Sequence, residues 1–390
     1  MAKNSNLYTV HNKVTIVRGG ADYFQRIEEI ADSARYSLHL QTYIFDEDET
    51  GTRVADALIR AAGRNVLVYV LLDGYASRHL SSAFVARLRA AGIRLEFFAP
   101  FLRGGNFYIG RRLHHKVIVA DSSVCMVAGI NISNRYNDIG DSKAWLDWAI
   151  YAEGQVADQL NDVCIRIWNR PVLRKKCVAT EKLHRRQLPG EECLVRIRRN
   201  DWVFSKTQIT RSYRDMFPQS RSYATIMTSY FWPPQKLLNN MARASRKGVK
   251  VTVVLTAKSD IPIAKYAERY LYPWLFRNNI AVCEYQRNIL HGKLAVRDDE
   301  WMTAGSYNVN NISAYASVEL NLEVKNAAIA SQVNRTLGTI IAQDCIRIDE
   351  TEFRSKNSAI NRFMFYLSYR IVHFVFYLFT FYFVQRRENS

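Results

Sequence analysis

Apolar and polar positions follow two different periods along this chain, and they predict a repeating order of helices and strands. Residues 22–34 place Tyr23, Ile27 and Ile30 on one stripe, which predicts an amphipathic helix. The run of apolar positions at 36–45 instead predicts a buried strand. The segments predicted next are a helix at 52–62 and a strand at 66–72.

The second half of the chain repeats this order. A helix at 208–217, a strand at 223–232, a helix at 235–247 and a strand at 249–255 are predicted, and residues 36–43 parallel residues 223–230. Two further apolar stretches, 117–120 and 294–296, precede turn-like segments and predict hairpins. Gene duplication is the simplest interpretation.

Strands that alternate with helices indicate the α/β class, with an α/β/α sandwich in each half. We expect the halves to pack with pseudo-twofold symmetry and to form a pocket at their interface. The predicted divisions are a first domain at 1–170, a basic linker at 171–200, a second domain at 201–355 and a hydrophobic tail at 356–390.

Composition narrows the class of protein. A chain of 390 residues, 48% hydrophobic and 23% charged, is folded and long enough for two domains. Its six cysteines form no Cys-x-x-Cys pair, which argues against zinc and against a disulfide framework. The net charge of +18 predicts a polyanionic partner, either an anionic lipid surface or nucleic acid.

One pattern of histidine, lysine, aspartate and asparagine occurs in each half at identical spacing. Residues two apart in a strand share a face, so each histidine lies beside a lysine. A lone histidine near a lysine is usually a surface pair, but a duplicated pattern argues for a site. The first copy is His114, Lys116, Asp121 and Asn131, and the second is His291, Lys293, Asp298 and Asn308.

Two imidazoles, two ammonium groups and two amides suit a phosphodiester substrate. One imidazole can attack phosphorus while the other protonates the leaving alcohol, and the pattern does not decide which attacks. The lysines and asparagines would hold the non-bridging oxygens without a metal or other cofactor.

Other side chains complete this hypothetical site. We interpret Asp121 and Asp298 as turn residues, and we expect carboxylates behind the rings to fix their tautomers. The candidates for that role are Asp147 and Glu319, whereas Gly305 and Ser306 would approach the substrate and Arg111 and Arg112 would steer a phosphate.

At these residues the chain resembles the phospholipase D superfamily, whose signature is two His-x-Lys-x4-Asp-x6-Gly-Ser-x-Asn motifs at one active site. The second copy matches in full, including Gly305 and Ser306. The first departs from the signature by carrying Ala128 and Gly129 at those two positions. Over the whole chain the resemblance is to bacterial cardiolipin synthases of the shorter type, which lack amino-terminal membrane spans.

The carboxyl-terminal tail separates lipid from nucleic acid as the predicted partner. Residues 363–384 are mostly aromatic and aliphatic, which disfavours nucleic acid. Polar residues recur along one helix face, so a helix in the membrane interface is favoured over a span, with packing on the catalytic body as the alternative. These polar residues are Arg362, Tyr366, Arg370, His373, Tyr377 and Thr380.

The resulting hypothesis is a peripheral membrane transphosphatidylase that converts anionic phosphatidylglycerol to cardiolipin through a phosphatidyl-histidine. The absence of a long apolar run before Val14 predicts that it faces the cytoplasm. One alternative is a hydrolase of phospholipid or DNA, and another is a non-catalytic lipid-binding protein. Phosphatidylglycerol, phosphatidylethanolamine, glycerol and water all remain open as the acceptor, and protein partners are not predicted.

Overall fold

The structure, a computed structural model, describes residues 7–100, 102–103, 106–107, 111–169, 190, 192–201, 206–310 and 317–388. Most of the predicted basic linker at 171–200 lies outside these residues. The chain forms two compact units. The first comprises residues 1–199 with 304–306 and 318–325, and the second comprises residues 200–303, 307–317 and 326–390.

Strands and helices alternate from the first described residues onward. The elements are β1 (Thr9–Arg18), α1 (Ala21–Ser33), β2 (Ser37–Thr42), α2 (Glu49–Gly63), β3 (Leu67–Asp73), α3 (Ser82–Ala90), β4 (Arg94–Phe98), β5 (Leu102–Arg103), β6 (Asn106–Phe107), β7 (Arg112–Leu113), β8 (Lys116–Ala120), β9 (Val124–Ala128), a 3₁₀ helix (Asn134–Tyr136), β10 (Trp148–Gly154) and α4 (Gln155–Trp168).

The same alternation continues after residue 190. The elements are β11 (Glu192–Asp201), β12 (Lys206–Thr207), α5 (Gln208–Gln219), β13 (Tyr223–Thr228), β14 (Phe231–Trp232), α6 (Gln235–Arg246), β15 (Lys250–Thr256), α7 (Pro262–Arg269), α8 (Tyr272–Arg277), β16 (Ala281–Tyr285), β17 (Lys293–Arg297), β18 (Trp301–Gly305), β19 (Val309–Asn310), β20 (Ser317–Lys325), α9 (Ala327–Asp344), β21 (Cys345–Arg347), α10 (Glu350–Lys356) and α11 (Ala359–Glu388).

The sheet of the first unit is covered by helices on both faces. Its strands lie in the order β4-β3-β2-β8-β9-β10-β1, with β2, β3 and β4 parallel to one another. Along β2, Leu38 and Leu40 join the core that contains the apolar stripes of α1 and α2. Gln41, which follows Leu40, points to the opposite face of the sheet and donates to the carbonyl of Cys164 in α4. The predicted α/β/α arrangement is therefore confirmed here.

The second unit repeats this strand order. Strands β16, β15 and β13 are parallel neighbours, and β17 pairs antiparallel with β13 as β8 does with β2. Ala224 and Ile226 of β13 join a core with α5 and α6, whereas α9 packs against β16 and β17. The predicted α/β class and internal repeat are confirmed, although both long predicted strands end earlier than expected, at Thr42 and Thr228.

Asp121 and Asp298 close the two hairpins and fix the structural correspondence between the halves. The Asp121 carboxylate accepts hydrogen bonds from the backbone amides of residues 35, 36 and 37, and the Asp298 carboxylate accepts them from residues 221, 222 and 223. Both aspartates have left-handed backbone conformations, as turn residues do. The predicted parallel of 36–43 with 223–230 is wrong by one residue, because Ser37, not Tyr36, corresponds to Tyr223.

Helix α11 packs against its unit along one face and exposes apolar side chains on another. Phe365 is buried, and its ring centroid lies 5.6 Å from that of Tyr266. Phe363 and Phe374 are each 60% exposed. The packing therefore follows the alternative in which the helix contacts the catalytic body, while its outer face remains apolar. None of the described helices has the length and apolarity needed to cross a membrane.

Candidate active site

Each motif histidine follows a residue that is anchored to the end of a parallel strand. The amide of Leu113 donates to the Asp73 carboxylate at 2.8 Å, and the equivalent amide of Leu290 donates to the Thr256 hydroxyl at 3.2 Å. Asp73 also accepts from two amides in the loop after β3, and burial raises the pKa of its carboxyl group. These bonds fix the backbone that enters each motif.

The backbone of His114 is held by a strand from late in the chain. The amides of His114 and His115 both donate to the carbonyl of Val318, at 3.1 and 3.0 Å. The ring of His115 is buried, and its Nε2 lies 2.9 Å from the side-chain oxygen of Gln41. His115 therefore occupies a structural position.

The His114 ring is bound to a carboxylate that is completely buried. Nδ1 of His114 lies 2.9 Å and 3.0 Å from the two carboxylate oxygens of Glu319. The Ser306 hydroxyl donates to the same carboxylate. An ionised carboxylate accepts only, so it fixes the proton on Nδ1 and leaves the lone pair of the neutral ring on Nε2. Hydroxyl, carboxylate and imidazole thus form one chain of hydrogen bonds.

Lys116 places a buried cation next to this ring. Its Nζ donates to the His114 carbonyl at 2.5 Å and lies 5.2 Å from the ring centroid of Tyr43. The Tyr43 ring meets the His114 ring edge-on, with 4.8 Å between centroids. Burial raises the pKa of Tyr43 to about 12, so its phenol stays protonated at neutral pH.

The second motif arranges its histidine and lysine differently. Nζ of Lys293 lies 3.0 Å from Nδ1 of His291 and also donates to the His291 carbonyl. The Ser229 hydroxyl donates to that carbonyl at 2.9 Å. His291 and Lys293 are both buried. The ammonium of Lys293 thus lies against the imidazole of His291.

The departure of the first motif from Gly-Ser has a steric cause. The amide of Gly129 donates to the carbonyl of Trp148 as that of Ser306 donates to Leu320, so Gly129 corresponds to Ser306 and Asp147 to Glu319. A Cβ atom on Gly129 would collide with the Asp147 carboxylate. The first motif therefore lacks the serine because the buried aspartate occupies its space.

The side-chain amides of the two motif asparagines differ in how many of their hydrogen-bonding groups have a partner in the protein. The Asn131 side chain accepts from the amide of Ile44 at 3.2 Å and donates to the Tyr136 hydroxyl at 2.9 Å, which leaves one amide proton for a substrate. Oδ1 of Asn308 is buried without a hydrogen-bond partner among the described residues. The side-chain oxygen of Asn308 can therefore accept a hydrogen bond from a substrate hydroxyl.

The two candidate phosphate-steering arginines already contact other groups of the protein. Arg112 lies 3.5 Å from the Asp73 carboxylate and donates to the carbonyl of Ala99. Arg111 is buried with its guanidinium 5.3 Å from the centroid of the Phe98 ring. Their role in steering a phosphate stays a prediction.

Sequence reasoning missed several residues that shape these surroundings. Tyr43 and Ser229 occupy equivalent positions, and the one-residue error in the parallel concealed them. Asp73 ends an apolar strand, which was the available signal for an anchoring carboxylate.

Within the described ranges, no group of three or more histidine, cysteine, aspartate and glutamate side chains could hold a metal ion.

Comparison with known proteins agrees with the class that the fold and motifs define. Residues 27–168 and 213–341 match the family described as "Cardiolipin synthase, PLD-like domain". Cardiolipin synthase B of Salmonella typhimurium strain LT2 is 33% identical over 343 residues, covering 87% of this chain and 83% of the relative. Cardiolipin synthase B of Escherichia coli strain K12 is 31% identical over 345 residues, with the same coverage.

A solved structure shows the same fold at lower identity. Phosphatidylserine synthase of Haemophilus influenzae Rd KW20 superposes with a TM-score of 0.71 at 15% identity, covering 96% of this chain and 97% of that one. The chain belongs to the cardiolipin synthase family of phospholipase D-like proteins, and it is an enzyme of that family. The resemblance predicted from the motifs is confirmed.

Removing the Ser306 hydroxyl or the Glu319 carboxylate should lower activity through the same hydrogen-bond chain. We expect Ser306→Ala to reduce kcat about 10–100-fold, the kinetic equivalent of one lost hydrogen bond to a charged group, and Glu319→Gln to reduce it further. The Ser306→Ala/Glu319→Gln double variant should be no slower than Glu319→Gln, because both changes disable one unit. Steady-state kinetics check this, and additive losses would contradict it.

Restoring the signature serine in the first motif should destabilise the protein. Gly129→Ser introduces a Cβ into the space of the Asp147 carboxylate, at a cost of about 1–3 kcal/mol in unfolding free energy. The matched control is Gly63→Ser, where a Cβ meets no atom within 4 Å. Thermal melts should show a lower midpoint for Gly129→Ser only. An unchanged midpoint would refute the steric explanation.

Proposed function

We propose that the enzyme is a phosphatidyl transferase that makes cardiolipin from phosphatidylglycerol and a second phospholipid through a phosphatidyl-histidine intermediate. Its family membership and two complete sets of motif histidine and lysine support this proposal. The hydrogen-bonded chain Ser306–Glu319–His114 carries it, because a carboxylate that orients an imidazole is how proteins prepare such a ring for attack. His114 is therefore our nucleophile.

The first half-reaction forms one bond and breaks another. The lone pair on Nε2 of His114 attacks phosphorus, the bond from phosphorus to the glycerol oxygen breaks, and His291 donates a proton to that oxygen. In the second half-reaction an acceptor alcohol gives its proton to His291 and attacks phosphorus, and the bond to His114 breaks. Free glycerol and cardiolipin are the products.

Charge on the five-coordinate phosphorus requires donors close by. We assign this role to the ammonium groups of Lys116 and Lys293 and to the amides of Asn131 and Asn308. Both lysines are buried, which strengthens their interaction with an anion because little water screens them. Asp121 and Asp298 hold the hairpins, and Asp147 is our candidate for a second ring-orienting carboxylate.

We further propose that the enzyme works at the cytoplasmic face of a membrane. Helix α11 supports attachment, since Ile360 and Phe363 are 74% and 60% exposed and Ile261 beside α7 is 47% exposed. Side chains of this kind bury favourably among headgroups and upper acyl chains. The net charge of +18 favours an anionic surface.

Isotope-labelled phosphatidylglycerol tests both the reaction and the nucleophile. Wild-type protein should form cardiolipin and glycerol in the presence of EDTA, and His114→Ala should form neither. In His291→Ala the first bond should still form slowly, so acid-labile phosphatidyl label should accumulate on His114, detectable by peptide mass spectrometry. Arg335→Ala, at an exposed residue of α9, is the activity control.

The products separate this proposal from its alternatives. Phosphatidic acid as the sole product would indicate a hydrolase, and cleavage of DNA in EDTA would indicate a nuclease. Label on His291 in the His114→Ala variant would reverse the assigned roles. Cardiolipin formation by His114→Ala would reject the histidine mechanism.

Charge placed on the outer face of α11 should weaken membrane attachment. Phe363→Glu/Phe374→Glu replaces two exposed aromatic side chains. Binding to vesicles of phosphatidylglycerol and phosphatidylethanolamine should fall at least about tenfold, because each variant position loses membrane burial of its exposed part, out of about 1.5–3 kcal/mol for a whole side chain. Gln332→Glu/Thr339→Glu makes the same charge change on the exposed face of α9 and should bind as wild type does. Equal binding by both pairs in a flotation assay would contradict the proposed attachment.

A further inference from the structure

A cavity of about 520 Å³ lies within the second unit, and no motif residue lines it. Helices α6, α7, α8, α10 and α11 all contribute to its wall. Its volume falls in the range of small-molecule sites. None of the proposed catalytic residues lines it.

The wall of this cavity is largely apolar and aromatic. Phe353 and Phe365 form part of it, with 6.2 Å between their ring centroids, and Trp274 and Leu238 add further apolar surface. Tyr369 lines the cavity as well, and its ring centroid lies 4.6 Å from that of Tyr270. Such a wall suits hydrocarbon chains more than a small polar metabolite.

Four arginines also line the cavity, and two of them have no acidic partner among the residues that the structure describes. Arg269 pairs with Glu284, and Arg354 pairs with Glu350. The guanidinium of Arg277 contacts only the carbonyl of Pro273, and no ion pair involves Arg362 among the described residues. Arg277 and Arg362 are both exposed, so the cavity combines apolar walls with two solvent-accessible cations, which is complementary to an amphiphilic anion.

The cavity also adjoins side chains that stay accessible. Tyr270 lines it and is 39% exposed, and Tyr366 of α11 lies 5.7 Å from Tyr270 and is 41% exposed. A ligand whose headgroup and glycerol fill the cavity could thus continue its chains along the apolar face of α11. A free phosphate would leave the aromatic wall unused, and an uncharged lipid would leave the two guanidinium groups unpaired.

We propose that this cavity is a non-catalytic binding site for one anionic phospholipid. Its phosphate would pair with Arg277 and Arg362, and its glycerol and upper chains would pack on Trp274, Phe353 and Phe365. This site does not depend on the proposed reaction, because it would bind lipid without transferring it. It would hold α11 and α7 against a membrane that contains anionic lipid.

Photo-crosslinking with a phosphatidylglycerol that carries a diazirine on its chain tests this proposal. The full-length His114→Ala/His291→Ala protein is used, so that turnover plays no part. We expect crosslinked peptides from residues 269–277 and 353–369. Arg277→Gln/Arg362→Gln should lower this crosslinking at least about tenfold, since two charge-assisted hydrogen-bond sites are lost. Arg243→Gln/Arg246→Gln removes equal charge from exposed residues of α6 and should preserve it.

A second variant and two competitors sharpen the result. Leu238→Trp fills part of the cavity and should lower crosslinking while the arginines remain. Unlabelled phosphatidylglycerol should compete, whereas phosphatidylcholine and inorganic phosphate should not. Crosslinks confined to other peptides, equal loss in both arginine pairs, or full competition by inorganic phosphate would each overturn the proposal. None of these outcomes depends on whether cardiolipin is formed.

Discussion

The contact between Glu319 and His114 is the interaction on which the proposed chemistry depends most. It joins residues 205 positions apart and buries a carboxylate completely. A buried carboxylate costs several kcal/mol unless hydrogen bonds compensate it, and here the Ser306 hydroxyl and the imidazole N–H do so. Loss of either donor would leave the buried carboxylate less compensated. Val318 fixes the histidine backbone, and Gly305 lies so close to Leu320 that no side chain would fit.

The internal repeat supplies two equal scaffolds on which the chemistry has diverged. Strand order, hairpin turns and the anchored residue before each histidine are shared, because they concern the backbone. Side chains at several equivalent positions around the two motifs are different. The equivalent positions that differ are Asp73 and Thr256, Tyr43 and Ser229, Gly129 and Ser306, and Asp147 and Glu319.

Much of this was predictable from sequence, and the exceptions have identifiable causes. Apolar periodicity located the helices and strands because burial on one face imposes it. It could not fix the parallel between the halves, since tyrosines at both ends of each segment favoured the wrong register. The backbone hydrogen bonds of Asp121 and Asp298 correct that register. The histidine that contacts Glu319 could not be predicted either, because spacing along a chain does not indicate which distant histidine a strand will contact.

Helix α11 shows how one segment can serve several physical demands. Its sequence is too polar for a simple span and too apolar for a surface helix, and the structure divides these properties among faces. Phe365 packs inward, Phe363 remains exposed, and Arg362 lines a cavity. The overall charge of +18 acts on any anionic surface over roughly one Debye length, about 8–10 Å, and cannot select a particular lipid. Selecting one lipid requires cations at fixed positions beside an apolar wall. The cavity lined by Arg362, Phe365 and Tyr369 of α11 provides both.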